Sequence, residues 1–190
     1  MHGLCDIPHN DYPYPQYNCA RGNILGFIPS TIGNYSNLSY LDLHSNTLKG
    51  PTPKNITRLK KLIDLARNTN QITSTIPQEI GKLQSLEFLY LFSNNLTGHI
   101  PDSILKFLDY LALSRNNMFG NIPSHISGLA SLESLTLSEN KFNGNIPKAI
   151  RNIKYLKTID LSNNNMSGSL LKIIKKTQVS FHYRYIKKFN

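Results

Sequence analysis

Apolar residues recur along this chain in a fixed frame. From Leu86 to Pro101 the sequence LEFLYLFSNNLTGHIP reads L-x-x-L-x-L-x-x-N-x-L-x-G-x-I-P, with Leu86, Leu89, Leu91, Asn94, Leu96, Gly98, Ile100 and Pro101 at the fixed positions. The frame restarts at Leu38, Leu62, Leu108, Leu132 and Leu156, so successive steps are 24, 24, 22, 24 and 24 residues. Alternation within L-x-L predicts one short strand per unit, for example Leu89-Tyr90-Leu91, with leucines inward and the x residues on the opposite face. A unit this short cannot bury its own leucines, so its stability depends on stacked neighbours. A period in the range of about 20–29 residues predicts a solenoid. The fold class expected is an α/β solenoid: a right-handed coil with a parallel concave β-sheet and a 3-10 or irregular convex side.

Asn46, Asn70, Asn94, Asn116, Asn140 and Asn164 follow the six strands. A buried amide there offers donors and an acceptor to turn backbone that has no ladder partner. Leu48, Ile72, Leu96, Met118, Phe142 and Met166 then turn back into the core. On the far side G-x-I-P followed by x-x-I-G-x-L, as at Gly144-Asn145-Ile146-Pro147, fills the convex half. The 22-residue unit is short in that convex segment, at Ile104-Leu105, so strand register should survive the deletion.

With these motifs in view, the chain resembles the plant-type leucine-rich repeat proteins. LSYLDLHSN, LEFLYLFSNNLTGHIP and LKTIDLSNNNMSG are most similar to the ectodomains of plant leucine-rich repeat receptor-like kinases. The resemblance covers residues 22 to about 169. It implies a peptide or protein ligand, a possible co-receptor ectodomain, and a location outside the cell or on the outer face of the plasma membrane. The motif residues themselves are scaffold.

Three regions are expected: a degenerate cap over residues 1–21, repeats over 22–169, and a basic cap or tail over 170–190. Relatives usually close the first end with paired cysteines and a tryptophan, and this chain has no Trp. Counting back one period puts Tyr14, Tyr17 and Cys19 at leucine positions and Gly22 in the asparagine slot, while Pro13 and Pro15 weaken any central strand there. Cys5 and Cys19 could close a disulfide loop; alternatively, Cys19 is a small buried core residue. In the unit from Leu62, Arg67 stands where a core leucine belongs and Ser74 where glycine belongs. A buried unpaired arginine is costly, so its side chain is expected to snorkel or to pair with a carboxylate. After Gly168 the repeat stops, and Val179–Tyr185 alternates as a capping strand would.

Charge adds little. The net charge is +10, but six basic residues and no acid lie in residues 170–190. The charge therefore belongs to the tail, whose plain reading is a solvated terminus, and no nucleic-acid partner is expected. No run approaches the ~18 apolar residues of a membrane span. The first residues have no apolar secretory core. The sequons at Asn34, Asn37, Asn55, Asn95 and Asn165 nevertheless fit a secreted glycoprotein, although an Asn-rich composition also generates such triplets.

The histidines (His2, His9, His44, His99, His125 and His182) have no metal-ligand spacing, and no coil breaks pattern with a nucleophile and a base together. No enzyme activity, metal or cofactor is expected, and no kinase signature occurs. Binding is the favoured use. The outward strand positions form three columns: Tyr40, Asp64, Phe88, Tyr110, Ser134 and Thr158; Asp42, Ala66, Tyr90, Ala112, Thr136 and Asp160; and His44, Asn68, Phe92, Ser114, Ser138 and Ser162. Phe88, Tyr90, Phe92 and Tyr110 cluster, and Tyr90, between Ala66 and Ala112, should stand proud of two notches. Tyr40, Asp42 and Asp64 complete the candidate ligand surface, with the acids either meeting basic ligand groups or simply solvated. The competing reading is a set of rings that cover one another on a sheet face. Two other uses remain open: a secreted inhibitor of cell-wall hydrolases similar to polygalacturonase-inhibiting proteins, and an ice-binding surface.

Overall fold

The computed structural model describes residues 15–104 and 108–169. Seven concave strands follow the repeat frame: β1 Gln16–Asn18, β2 Tyr40–Asp42, β3 Asp64–Ala66, β4 Phe88–Tyr90, β5 Tyr110–Ala112, β6 Ser134–Thr136 and β7 Thr158–Asp160. They form one parallel sheet in chain order. Register is uniform: Tyr17, Leu41, Leu65, Leu89, Leu111, Leu135 and Ile159 share one inward row. The short unit keeps that register, since Phe88 pairs with Tyr110 and Tyr90 with Ala112. Residues 105–107, where its deletion lies, are outside the described set.

The asparagines form a continuous ladder. Asn94 Nδ2 donates to Arg67 O of the preceding coil (2.9 Å) and to Leu91 O of its own (3.1 Å), while its Oδ1 accepts from Ile72 N (3.0 Å). The preceding residue takes left-handed backbone in every coil, with φ between 54° and 56° at Ser45, Thr69, Ser93, Arg115, Glu139 and Asn163. The amide supplies the bonds that this turn leaves unmade.

Among the described residues the first six coils then make a 3-10 turn that follows a proline, such as Lys54–Arg58 and Gln78–Lys82. Pro presets its own φ, and its carbonyl accepts from the isoleucine three residues on, as in Ile80 N to Pro77 O at 3.0 Å. Successive turns pack so closely that a Cβ on Gly81 would lie 2.5 Å from Ser103 O. Between the two faces lies a single core of the repeat leucines and isoleucines.

Three findings differ from the sequence expectation. First, coils carry a second short strand past the asparagine. Leu25–Phe27, Thr47–Gly50 and Gln71–Ile72 form one three-stranded sheet, and Phe119–Gly120, Lys141–Asn145 and Asn165–Ser167 form another. The backbone there is extended and meets its equivalent one coil away, as in Lys141 N to Met118 O at 2.8 Å. Second, the proline-flanked first coil does form a strand. Among the described residues β1 lies at the edge of the sheet, where the weakening expected of a central strand does not apply, and Pro15, just before it, accepts from Ser39 N at 3.0 Å. Third, Arg67 neither snorkels nor meets a carboxylate. It is 1% exposed, its Nη1 donates to the buried Thr52 Oγ1, and its Nε has no partner. Burial lowers its pKa to about 10.

Cys19 is buried and disulfide-bonded. Cys5, Tyr14, Pro13 and the proposed strand Val179–Tyr185 lie outside the described residues.

Candidate functional site

The concave sheet brings the predicted residues together. Tyr40, Asp64, Phe88 and Tyr110 occupy one row across β2 to β5, and Asp42, Ala66, Tyr90 and Ala112 the next. All of Tyr40, Asp42, Asp64, Phe88, Tyr90, Phe92 and Tyr110 are half-buried. They form a continuous surface because alternation in each three-residue strand sends the flanking residues outward while the central leucine enters the core.

Phe88 organises the aromatic part. Its ring stacks on Tyr110 across the strands, with centroids 5.3 Å apart, and on Tyr90 of its own strand at 6.4 Å. Tyr90 therefore leans on Phe88 rather than standing free, although Ala66 and Ala112 do flank it. Burial raises the Tyr90 phenol pKa, with further contributions from Asp64 and Tyr110. Part of this surface is thus the self-covering aromatic arrangement that the sequence also allowed, and its outer half remains open to solvent.

Tyr110 is tied down by residues that sequence reasoning missed. Its hydroxyl donates to Glu133 Oε2 at 3.1 Å, and Glu133 Oε1 pairs with Lys157 Nζ at 2.8 Å. The bond to Glu133 raises the phenol pKa, and Lys157 lowers that of Glu133. The available clue was that Glu133 and Lys157 hold opposite charges at equivalent places in adjacent coils.

The concave acids are not equivalent. Asp42 Oδ1 accepts from His44 N at 3.0 Å and lies 2.7 Å from His44 Nδ1. Asp160 Oδ1 accepts from Ser162 N at 3.0 Å and from Ser162 Oγ at 2.7 Å. Asp64 differs: its Oδ1 is buried with no hydrogen-bond partner. Burial, then proximity to Asp42, raises its pKa to about 6. Simple solvation, the plain expectation for these acids, describes none of the three.

The sequons lie off this face. Asn34 and Asn55 sit in 3-10 turns, Asn37 in the loop leading to β2, Asn95 just past the asparagine turn, and Asn165 in a side strand. Among the described residues no group of acids, histidines and cysteines could hold a metal ion, and no helix is long and apolar enough to cross a membrane.

Residues 36–96 and 106–166 match the leucine rich repeat family. No curated protein sequence matches the chain. Among solved structures, the plant peptide hormone receptor RGFR1 in complex with RGF2 is 34% identical, with a TM-score of 0.75, covering 77% of this chain and 24% of that one. A TDR receptor is 31% identical, with a TM-score of 0.76, covering 80% and 26%. The Arabidopsis receptor kinase HAESA ectodomain, in complex with an N-terminally extended IDA peptide hormone ligand, is 27% identical, with a TM-score of 0.70, covering 82% and 31%. The chain thus spans about a quarter to a third of the length of these receptors.

Proposed function

The chain belongs to the leucine-rich repeat family, and on that premise we propose that it is a non-catalytic recognition module whose concave face binds a peptide or protein ligand in signalling outside the cell. The observation that carries this reading is the cluster of half-exposed aromatics Phe88, Tyr90 and Tyr110 on one continuous sheet. Aromatic side chains in a shallow, partly dry setting supply contact area at low entropic cost and recur as binding hot spots. Two further facts support it. The sequon asparagines, glycosylated in this reading, leave the concave strands uncovered. Similar solved ectodomains include receptors in complex with peptide hormones.

The test is selection of peptides from a random linear library on the folded protein, followed by affinity measurement against Tyr90→Asp. Loss of most of the affinity, with the variant still folded, is the expected result. Peptides that bind Tyr90→Asp as well as the parent would overturn the concave site.

A further inference from the structure

We propose that the notch over Ala66 is a subsite for a cationic side chain of the ligand, a lysine or an arginine, with Asp64 as its acceptor. The inference rests on the concave-face reading above and adds the chemistry of one ligand position.

Asp64 is set apart from the other two acids of this face. Asp42 and Asp160 each have donors two residues on in their own coil, His44 and Ser162, whereas Asp64 Oδ1 has none. An ionised carboxylate with one oxygen shut away from water and left without a donor is costly, and a cation that pairs with the carboxylate from its half-exposed side offsets that cost on binding. Desolvation raises the Asp64 pKa in this setting, which is the same cost expressed as a titration.

The surroundings select the kind of donor. Asp64 lies in register between Tyr40 and Phe88, so an aromatic residue flanks it on either side. The next outward residue on its own strand is Ala66, which lies between Asp42 and Tyr90. Ala66 contributes only a methyl group there, where its neighbours in that row, Asp42 and Tyr90, have larger side chains. A cation entering there would meet a carboxylate, the field of Asp42, and the ring of Tyr90 or Phe88, a combination that favours ammonium or guanidinium through ion pairing and cation–π attraction. A ligand carboxylate would face two like charges and be rejected.

Peptides selected on the parent protein would be compared with those selected on Asp64→Asn and Asp64→Lys, each variant first shown to melt cooperatively. Parent-selected peptides should carry a Lys or Arg at one fixed spacing from their aromatic or apolar contact, and should bind Asp64→Asn about tenfold more weakly. Asp64→Lys should instead select Asp or Glu at that position. Peptides that need Tyr90 yet show no basic position, or bind Asp64→Asn unchanged, would overturn this subsite and leave the concave-face reading intact. Failure to obtain any Tyr90-dependent peptide would overturn both.

Discussion

Arg67 Nη1 donates to Thr52 Oγ1 inside the core, and both residues replace aliphatic side chains of the repeat. Equivalent coils have Leu43 or Leu91 in the place of Arg67, and Ile76 or Ile100 in that of Thr52. Two breaks in pattern, one on each of two adjacent coils, thus answer one another. The match is incomplete, because Nε is left without an acceptor. Restoring both positions, as Arg67→Leu with Thr52→Ile, should stabilise the chain by about 1–4 kcal/mol, the range found when buried polar pairs give way to packed apolar ones. Thr52→Ile alone strands the guanidinium and should cost about 3 kcal/mol. Arg67→Leu alone should raise the melting temperature. Thermal denaturation of the three variants checks this; a double variant no more stable than the parent contradicts it.

Ser74 has φ of +79°, at the position where Gly50, Gly98 and Gly144 take +70°, +81° and +72°. A side chain there is strained, while glycine is not. Ser74→Gly should therefore stabilise by about 0.5–1 kcal/mol even after the added freedom of the unfolded chain. A fall in melting temperature would refute it.

Each ladder asparagine bonds two coils at once, so its loss should cost more than one hydrogen bond. Asn94→Ala would free Ile72 N and remove the donors to Arg67 O and Leu91 O. A loss of about 3 kcal/mol is expected from buried groups left unpaired, read by urea denaturation. A cost under about 1 kcal/mol would mean that water replaces the amide.

Asp64 predicts a pH dependence with a definite sign. Its folded pKa of about 6 is above the ordinary aspartate value of 3.8, so between the two the native state holds a proton that the unfolded state has released. Between those values stability falls as pH rises. The penalty is absent below about pH 4 and complete above about pH 6, on the order of 1 kcal/mol after discounting for its exposed side. Its partners across the strands are Tyr40 and Phe88, with Asp42 and Tyr90 on the diagonals and His44 beyond Asp42. Asp64→Asn should accordingly match the parent near pH 4 and exceed its stability at pH 7. A gap that is the same at both values would contradict the assignment.

Periodicity made the scaffold legible and left its exceptions unresolved. Leucine rows, ladder asparagines and the register across the short unit all follow from spacing, because every coil repeats the same constraints. The positions of the columns around Tyr90 follow for the same reason. What spacing cannot give is the direction of an irregular side chain. Tyr90 leaning on Phe88, His44 turning back to Asp42, and the Tyr110–Glu133–Lys157 chain are rotamer choices decided by neighbouring side chains, on the same coil in the first two and across coils in the third. Arg67 shows the limit most clearly. Its odd position is plain in the frame, but its partner is a threonine whose own departure the frame hides, since Thr52 is small and Gly50-Pro51-Thr52-Pro53 still reads as a turn.

The concave-face assignment has an internal reference for its most direct test. Ala66 and Ala112 flank Tyr90, whereas Ala149 lies in the convex turn Lys148–Asn152. Methyl-labelled alanine resonances would be followed by NMR as a selected peptide is added. The account predicts saturable shifts at Ala66 and Ala112 with Ala149 unmoved; shifts confined to Ala149 would contradict it and place recognition on the opposite side of the coil.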